Sequence, residues 1–164
     1  MMRTALSLAA ALALAACGLQ PLYGGGGSGY VASNLAQVAV SPIPGRAGWL
    51  MRGALTDRLN AADGASASRY RLDVRLDDQL ETLGILSDDT ISRERRILRA
   101  RYQLVDTSTG EILLDATTGS DAGIDVVSSD YATIAAEQRA LENLAEEVAD
   151  RIVTQLALTL RARQ

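Results

Sequence analysis

From Arg69 to Asp77 apolar and polar residues alternate strictly. Tyr70, Leu72, Val74 and Leu76 point one way, and Arg69, Arg71, Asp73, Arg75 and Asp77 the other. A period of two predicts a strand with one buried and one wet face. The alternation slips after Asp78, where Leu80, Leu83 and Ile85 predict a bulge or a second short segment. Gly84 with Ser87-Asp88-Asp89 then marks a turn. Ile91–Val105 predicts a second strand, with Leu98, Ala100, Tyr102 and Leu104 on its apolar side. Arg93, Arg95, Arg99, Arg101 and Gln103 occupy the other side, interrupted by Ile97. Asp106-Thr107-Ser108-Thr109-Gly110 has hairpin-turn composition. Glu111–Gly119 predicts the returning strand, with Ile112, Leu114 and Ala116 inward, and the less regular Ser120–Val127 continues that edge.

On either side of this block the period changes. Leu35–Ser41 is a short β-branched run that predicts a first strand, closed by the turn Pro42-Ile43-Pro44-Gly45. Ala47–Ala62 has helical spacing, with Leu50, Met51, Ala54, Leu55, Leu59 and Ala62 on one face and Asp63-Gly64 as the stop. After Ser129 or Asp130 as cap, a long helix carries Ile134, Leu141, Leu144, Ala145, Val148, Ile152, Leu156 and Leu160 close to every 3.6 residues. Arg161 and Arg163 end it with the charge the helix dipole favours. The predicted order is β-α-β-β-β-α. Both apolar helix stripes and the apolar strand faces are buried together in an α+β fold of two layers. In it, two helices pack on one face of a mostly antiparallel four-stranded sheet. The other sheet face, which carries the arginines, is then free.

The N-terminus belongs to none of this. Arg3 precedes the uncharged run Thr4–Ala16, and Leu14-Ala15-Ala16 leads directly to Cys17-Gly18. A basic start, a short apolar core and small residues before a cut site make a bacterial secretory signal. The run is well short of the about 20 residues that span a bilayer. A Leu-Ala-Ala-Cys junction is the pattern signal peptidase II reads, so residues 1–16 are expected to be removed and Cys17 acylated. Glycine rather than aspartate after the cysteine favours the outer membrane. Residues 17–34, with Gly24-Gly25-Gly26-Gly27-Ser28-Gly29, read as a flexible tether. The folded domain is expected over residues 35–164.

Composition narrows the chemistry. The formal net charge of −4 argues against nucleic-acid binding, which needs a basic excess. Histidine is absent and the single cysteine is assigned to the anchor, which removes the commonest general base and the usual zinc and thiol chemistry. No serine sits in a nucleophile-elbow context and no glycine loop is placed to cradle phosphate, so no enzyme, metal or cofactor is expected. All 16 basic residues are arginine, the planar, bidentate partner of phosphate and carboxylate. The sheet-face arginines therefore carry two readings. One is a solvated face on which they pair with acids such as Asp73, Asp77 and Glu94; the other is a surface that grips an anionic ligand. The Gly84–Ile91 tip, with Ile85 and Leu86, could touch a membrane or partner, or tuck under the sheet rim. The acids of the last helix read as a solvated face.

Three segments in order carry a resemblance. They are Cys17-Gly18-Leu19-Gln20-Pro21-Leu22-Tyr23-Gly24, Tyr102-Gln103-Leu104-Val105-Asp106-Thr107-Ser108-Thr109-Gly110-Glu111-Ile112-Leu113, and Asp130-Tyr131-Ala132-Thr133-Ile134-Ala135-Ala136-Glu137. With the element order, the chain resembles the lipopolysaccharide-assembly lipoprotein family LptE in its alphaproteobacterial form. The resemblance implies a non-enzymatic outer-membrane lipoprotein that plugs and assists assembly of the LptD β-barrel. It also implies binding of lipopolysaccharide during its insertion into the outer leaflet. It makes Arg93 and Arg95, with Arg99 and Arg101 beside them, the counterparts of the family's lipopolysaccharide-binding basic residues. The alternative is a structural or regulatory outer-membrane lipoprotein that partners a periplasmic enzyme or a secretion complex.

Overall fold

The computed structural model describes residues 29–59, 68–85 and 91–163. Along them run α1 (Tyr30–Leu35), β1 (Val38–Val40), α2 (Gly45–Leu59), β2 (Tyr70–Ile85), β3 (Ile91–Asp106), β4 (Ile112–Asp125) and α3 (Asp130–Arg161). Cys17, the helix stop at Asp63-Gly64 and most of the Gly84–Ile91 tip lie outside the described residues.

The strands form one sheet in the order β1-β2-β3-β4. The long hairpins β2–β3 and β3–β4 are antiparallel, whereas β1 runs parallel to β2, pairing Val38 with Tyr70 and Val40 with Leu72. The parallel pair follows from the order of elements: α2 returns the chain to the end at which β1 began, as a crossover between parallel strands must. The slip after Asp78 is a bulge within a continuous β2, between Thr82 and Gly84. β4 runs on past the regular alternation and stays paired as far as Asp125, opposite Arg93.

The core lies between sheet and helices. Leu72, Leu98, Ala100, Tyr102 and Leu104 from the sheet meet Met51, Leu55 and Leu59 of α2 and Leu144, Val148, Ile152 and Leu156 of α3, all at most 2 % exposed. Ser129 caps α3, its hydroxyl accepting from the Ala132 amide.

Three expectations change. Packed structure starts before Leu35: α1 buries Val31, Asn34 and Leu35, and Tyr70 donates its hydroxyl to Asn34 Oδ1 at 3.4 Å. A third helix therefore joins the layer, and Leu35 ends a helix instead of opening a strand. Ile112 is 53 % exposed, because a register shift between Leu104 and Val105 turns the start of β4. Ile134 is 51 % exposed; in the first turns of α3 it is Thr133 that turns inward.

Candidate anion-binding face of the sheet

Strand parity places Arg93, Arg95, Arg99 and Arg101 together on the side of β3 opposite Leu98, Ala100 and Tyr102, facing away from the helices. They form a cationic spine down the middle of the sheet. The register then decides which acids stand beside them. On β4 the residues sharing this face are Asp115, Thr117, Gly119, Asp121, Gly123 and Asp125. Arg93 meets Asp125 directly opposite, at 3.1 Å. Arg95 reaches diagonally to Asp121 at 3.0 Å, and Arg101 reaches diagonally to Asp115 through two donated bonds of 3.2 and 3.0 Å. Gln103 also donates to Asp115, at 2.8 Å.

These contacts perturb the carboxyls. Arg101 and then Gln103 hold Asp115 below the usual carboxylate range, and Arg95 does the same for Asp121. On β2, Arg71 turns to Asp73 at 3.0 Å. The Ser41 hydroxyl donates to Asp73 at 2.6 Å, and this bond, with Arg71 second among the favourable contacts, lowers that carboxyl too.

Arg99 is different. Its neighbour on β4 is Gly119, and a Cβ there would lie 2.9 Å from the Leu98 carbonyl oxygen and 3.1 Å from Arg99 Cγ. The row therefore has a bare floor against which the Arg99 stem lies. On the other side β2 places Asp77 opposite Arg99, but the Asp77 carboxylate accepts both of its bonds from the Gln79 amide, at 3.2 and 3.1 Å. Arg99 and Arg75 are exposed and make no ion pair with the described residues.

Arg99 lines a shallow depression of about 460 Å³ with Arg95, Ile97, Gly119 and Asp121. A second depression of about 260 Å³, with Leu83, Arg93 and Asp125, adjoins it and shares Arg95 and Asp121. Arg75 and Arg101 line a third, of about 400 Å³, beside Ser41 and Asp73.

The structure thus unites all four predicted arginines but corrects their partners. Glu94 stands on the helix side, opposite Thr82 and Ile124, and Arg69 turns to the hairpin end, 3.7 Å from Asp106. Asp115, Asp121 and Asp125 are not among the predicted partners. They share the parity of Thr117 and Gly119, and continuing the β4 alternation past Gly119 finds the last two. Across β2, β3 and β4 the cations and carboxylates of this face match one for one, so its attraction for anions is local, not net.

Comparison with known proteins settles what kind of chain this is. Residues 35–156 match the family model for LptE, lipopolysaccharide-assembly. The chain belongs to the LptE family. That family is non-enzymatic, and its members are outer-membrane-associated lipoproteins of lipopolysaccharide assembly. The LptE assignment agrees with the solved structures it is similar to. A protein from Caulobacter crescentus described as a lipoprotein is 28 % identical, with a TM-score of 0.69 over 82 % of this chain and 97 % of that one. Rare lipoprotein B from Shewanella oneidensis (16 % identity, TM-score 0.56, 74 % of this chain and 92 % of that one) shares the fold. So does a minor lipoprotein from Acinetobacter baumannii (13 %, TM-score 0.60, 75 % and 92 %). No curated protein sequence matches the chain. Among the described residues no helix is long and apolar enough to cross a membrane.

Proposed function

We propose that this LptE-family chain is exported, cleaved before Cys17 and acylated there. On this reading it sits at the periplasmic leaflet of the outer membrane, plugs and assists assembly of an LptD-type β-barrel, and binds lipopolysaccharide as it passes to the outer leaflet. The observation that carries the reading is the family match over residues 35–156 on a fold that turns its arginine spine away from its own helices. Two further facts support it. A plug needs a polar surface because a barrel lumen is polar, and the free sheet face is mostly charged and polar, with Ile97, Leu83, Val105 and Ala39 as apolar exceptions. Phosphate groups on a lipid are recognised by arginine through charge-assisted, often bidentate bonds.

The test is gentle detergent extraction of the native membrane followed by affinity purification through a C-terminal tag on this chain. A large β-barrel recovered in stoichiometric amount is the expected result. Recovery of a peptidoglycan synthase or a secretin without a barrel would overturn the plug role in favour of the structural or regulatory alternative. Mass spectrometry of the same preparation should find the N-terminal peptide starting at an acylated Cys17.

A further inference from the structure

The four arginines of the spine are not equivalent, and the difference has a consequence for binding. Arg93, Arg95 and Arg101 each hold an aspartate of β4, at 3.1, 3.0 and 3.0 Å. An anionic ligand reaching any of them must compete with that carboxylate, which is tethered beside it at high effective concentration and neutralises the guanidinium. Arg99 forms no ion pair with a described residue: Gly119 faces it on β4 without a side chain, and on β2 the Asp77 carboxylate opposite accepts from the Gln79 amide. The two adjoining depressions share the Arg95–Asp121 pair, so that pair stands where they meet.

We propose that Asp121 gates this face. The ligand's first anionic group docks on Arg99, and a second group then replaces Asp121 on Arg95, joining the two depressions into one binding surface. The ligand class follows from the spacing. Four residues of strand separate Arg95 and Arg99 by about 13 Å between Cα atoms, with Ile97 between them and Leu83 beside the second depression. That geometry selects an amphiphile with two separated phosphate groups over a compact single anion, because only the former offers a second group once the first is held. The inference rests on the lipopolysaccharide reading above and adds to it an internal competitor that sets affinity and selectivity.

The experiment uses the full lipoprotein purified in mild detergent and titrated with fluorescent lipopolysaccharide in the same micelles, read by anisotropy. Arg99→Gln is expected to weaken binding by about tenfold, the scale of one charge-assisted contact to phosphate. Asp121→Asn keeps the size of the side chain and removes the competing charge. It is expected to tighten binding by about two- to fivefold, the scale of one exposed ion pair, and Asp121→Ser should do the same if the asparagine variant folds poorly. Arg101→Gln, whose partner Asp115 remains, should lose less than Arg99→Gln. Phosphatase-treated lipopolysaccharide should bind the wild type and Asp121→Asn equally weakly, and inorganic phosphate should compete only at concentrations far above those of the lipid. Unchanged or weaker binding by both Asp121 variants, with Arg99→Gln still impaired, overturns the gate while leaving lipopolysaccharide binding intact. Efficient competition by inorganic phosphate also overturns it, in favour of a simple small-anion site. No binding by the wild type overturns the lipopolysaccharide reading itself.

Discussion

At the residue scale, two glycines of the same helix make opposite demands. Gly48 lies in the first turn of α2, directly under the Pro42-Ile43-Pro44 turn that feeds it. A Cβ at this position would lie 2.7 Å from the Ile43 carbonyl carbon and 2.9 Å from Ile43 Cγ2. The chain can fold back so tightly from β1 into α2 only because no side chain is there. Gly53 is on the exposed side of the helix, and a Cβ there would meet nothing within 4 Å. Gly48→Ala must push the turn away or shift the helix, and overpacking of this kind costs about 1–3 kcal/mol. Gly53→Ala only restricts the unfolded chain and improves helix propensity, so it should stabilise by about 0.5–1 kcal/mol. Urea denaturation of the two variants should therefore move the midpoint in opposite directions. Equal shifts would mean that the close approach at Ile43 relaxes without cost.

At the element scale, α1 is the test of where the domain begins. It is a six-residue helix, too short to persist alone, so it exists because Val31 and Leu35 join the core and Tyr70 reaches Asn34. Leu35→Ala should cost about 2–4 kcal/mol, as for other fully buried leucines. A truncated chain that starts at residue 36 should show a loss at least as large in the same denaturation assay. A loss below about 0.5 kcal/mol would make α1 a decoration of the tether. Its position explains why it is not legible in the sequence. It directly follows a glycine run and spans less than two turns, so no 3.6 period can be counted. The legible elements are long. The nine-residue alternation at Arg69–Asp77 and the stripe from Leu141 to Leu160 each contain several periods, and both pack as they predict. The ends mislead: Ile112 and Ile134 keep the right period but lie where a bulge and the opening turns of a helix change the face. At the candidate site the cationic half is legible because β3 alternates. The acidic half is not, because the regular alternation of β4 stops at Gly119, and a glycine there reads as the end of a strand. In the sheet that glycine is an interior position kept bare by the approach of β3.

At the scale of the whole molecule, the titratable groups set a broad plateau of stability with steep sides. Five aspartates sit beside groups that favour their charged form. Arg58 lowers Asp150, Ser41 and then Arg71 lower Asp73, and the Ser108 hydroxyl and amide lower Asp106. Arg101 and Gln103 lower Asp115, and Arg95 lowers Asp121. A carboxyl whose folded pKa lies below its unfolded value of about 3.9 gives its full stabilisation above that value and loses it as pH falls through the folded one. Burial pushes the Tyr102 phenol up. Its contribution is therefore complete below the unfolded value of about 10 and disappears as pH rises through the folded one. Between these limits the usual switch is missing, because the chain has no histidine. Thermal unfolding should thus give a nearly constant Tm from about pH 5 to about pH 9, falling below about pH 4 and again above about pH 10. Asp150→Asn removes the pair with Arg58 that joins α2 to α3. It should lower Tm on the plateau and reduce the difference between pH 7 and pH 3, since one of the lost contributions is already absent. A transition in Tm near pH 6–7, or an Asp150→Asn variant with the full acid sensitivity of the wild type, would contradict this account. The plateau also constrains the ligand experiment. Arg95 and Arg101 are held above, and Asp121 and Asp115 below, their ordinary ranges, so these pairs keep their charges across pH 5–8 and a pH dependence of binding in that window is expected from the phosphates of the ligand, whose second ionisation lies near pH 6.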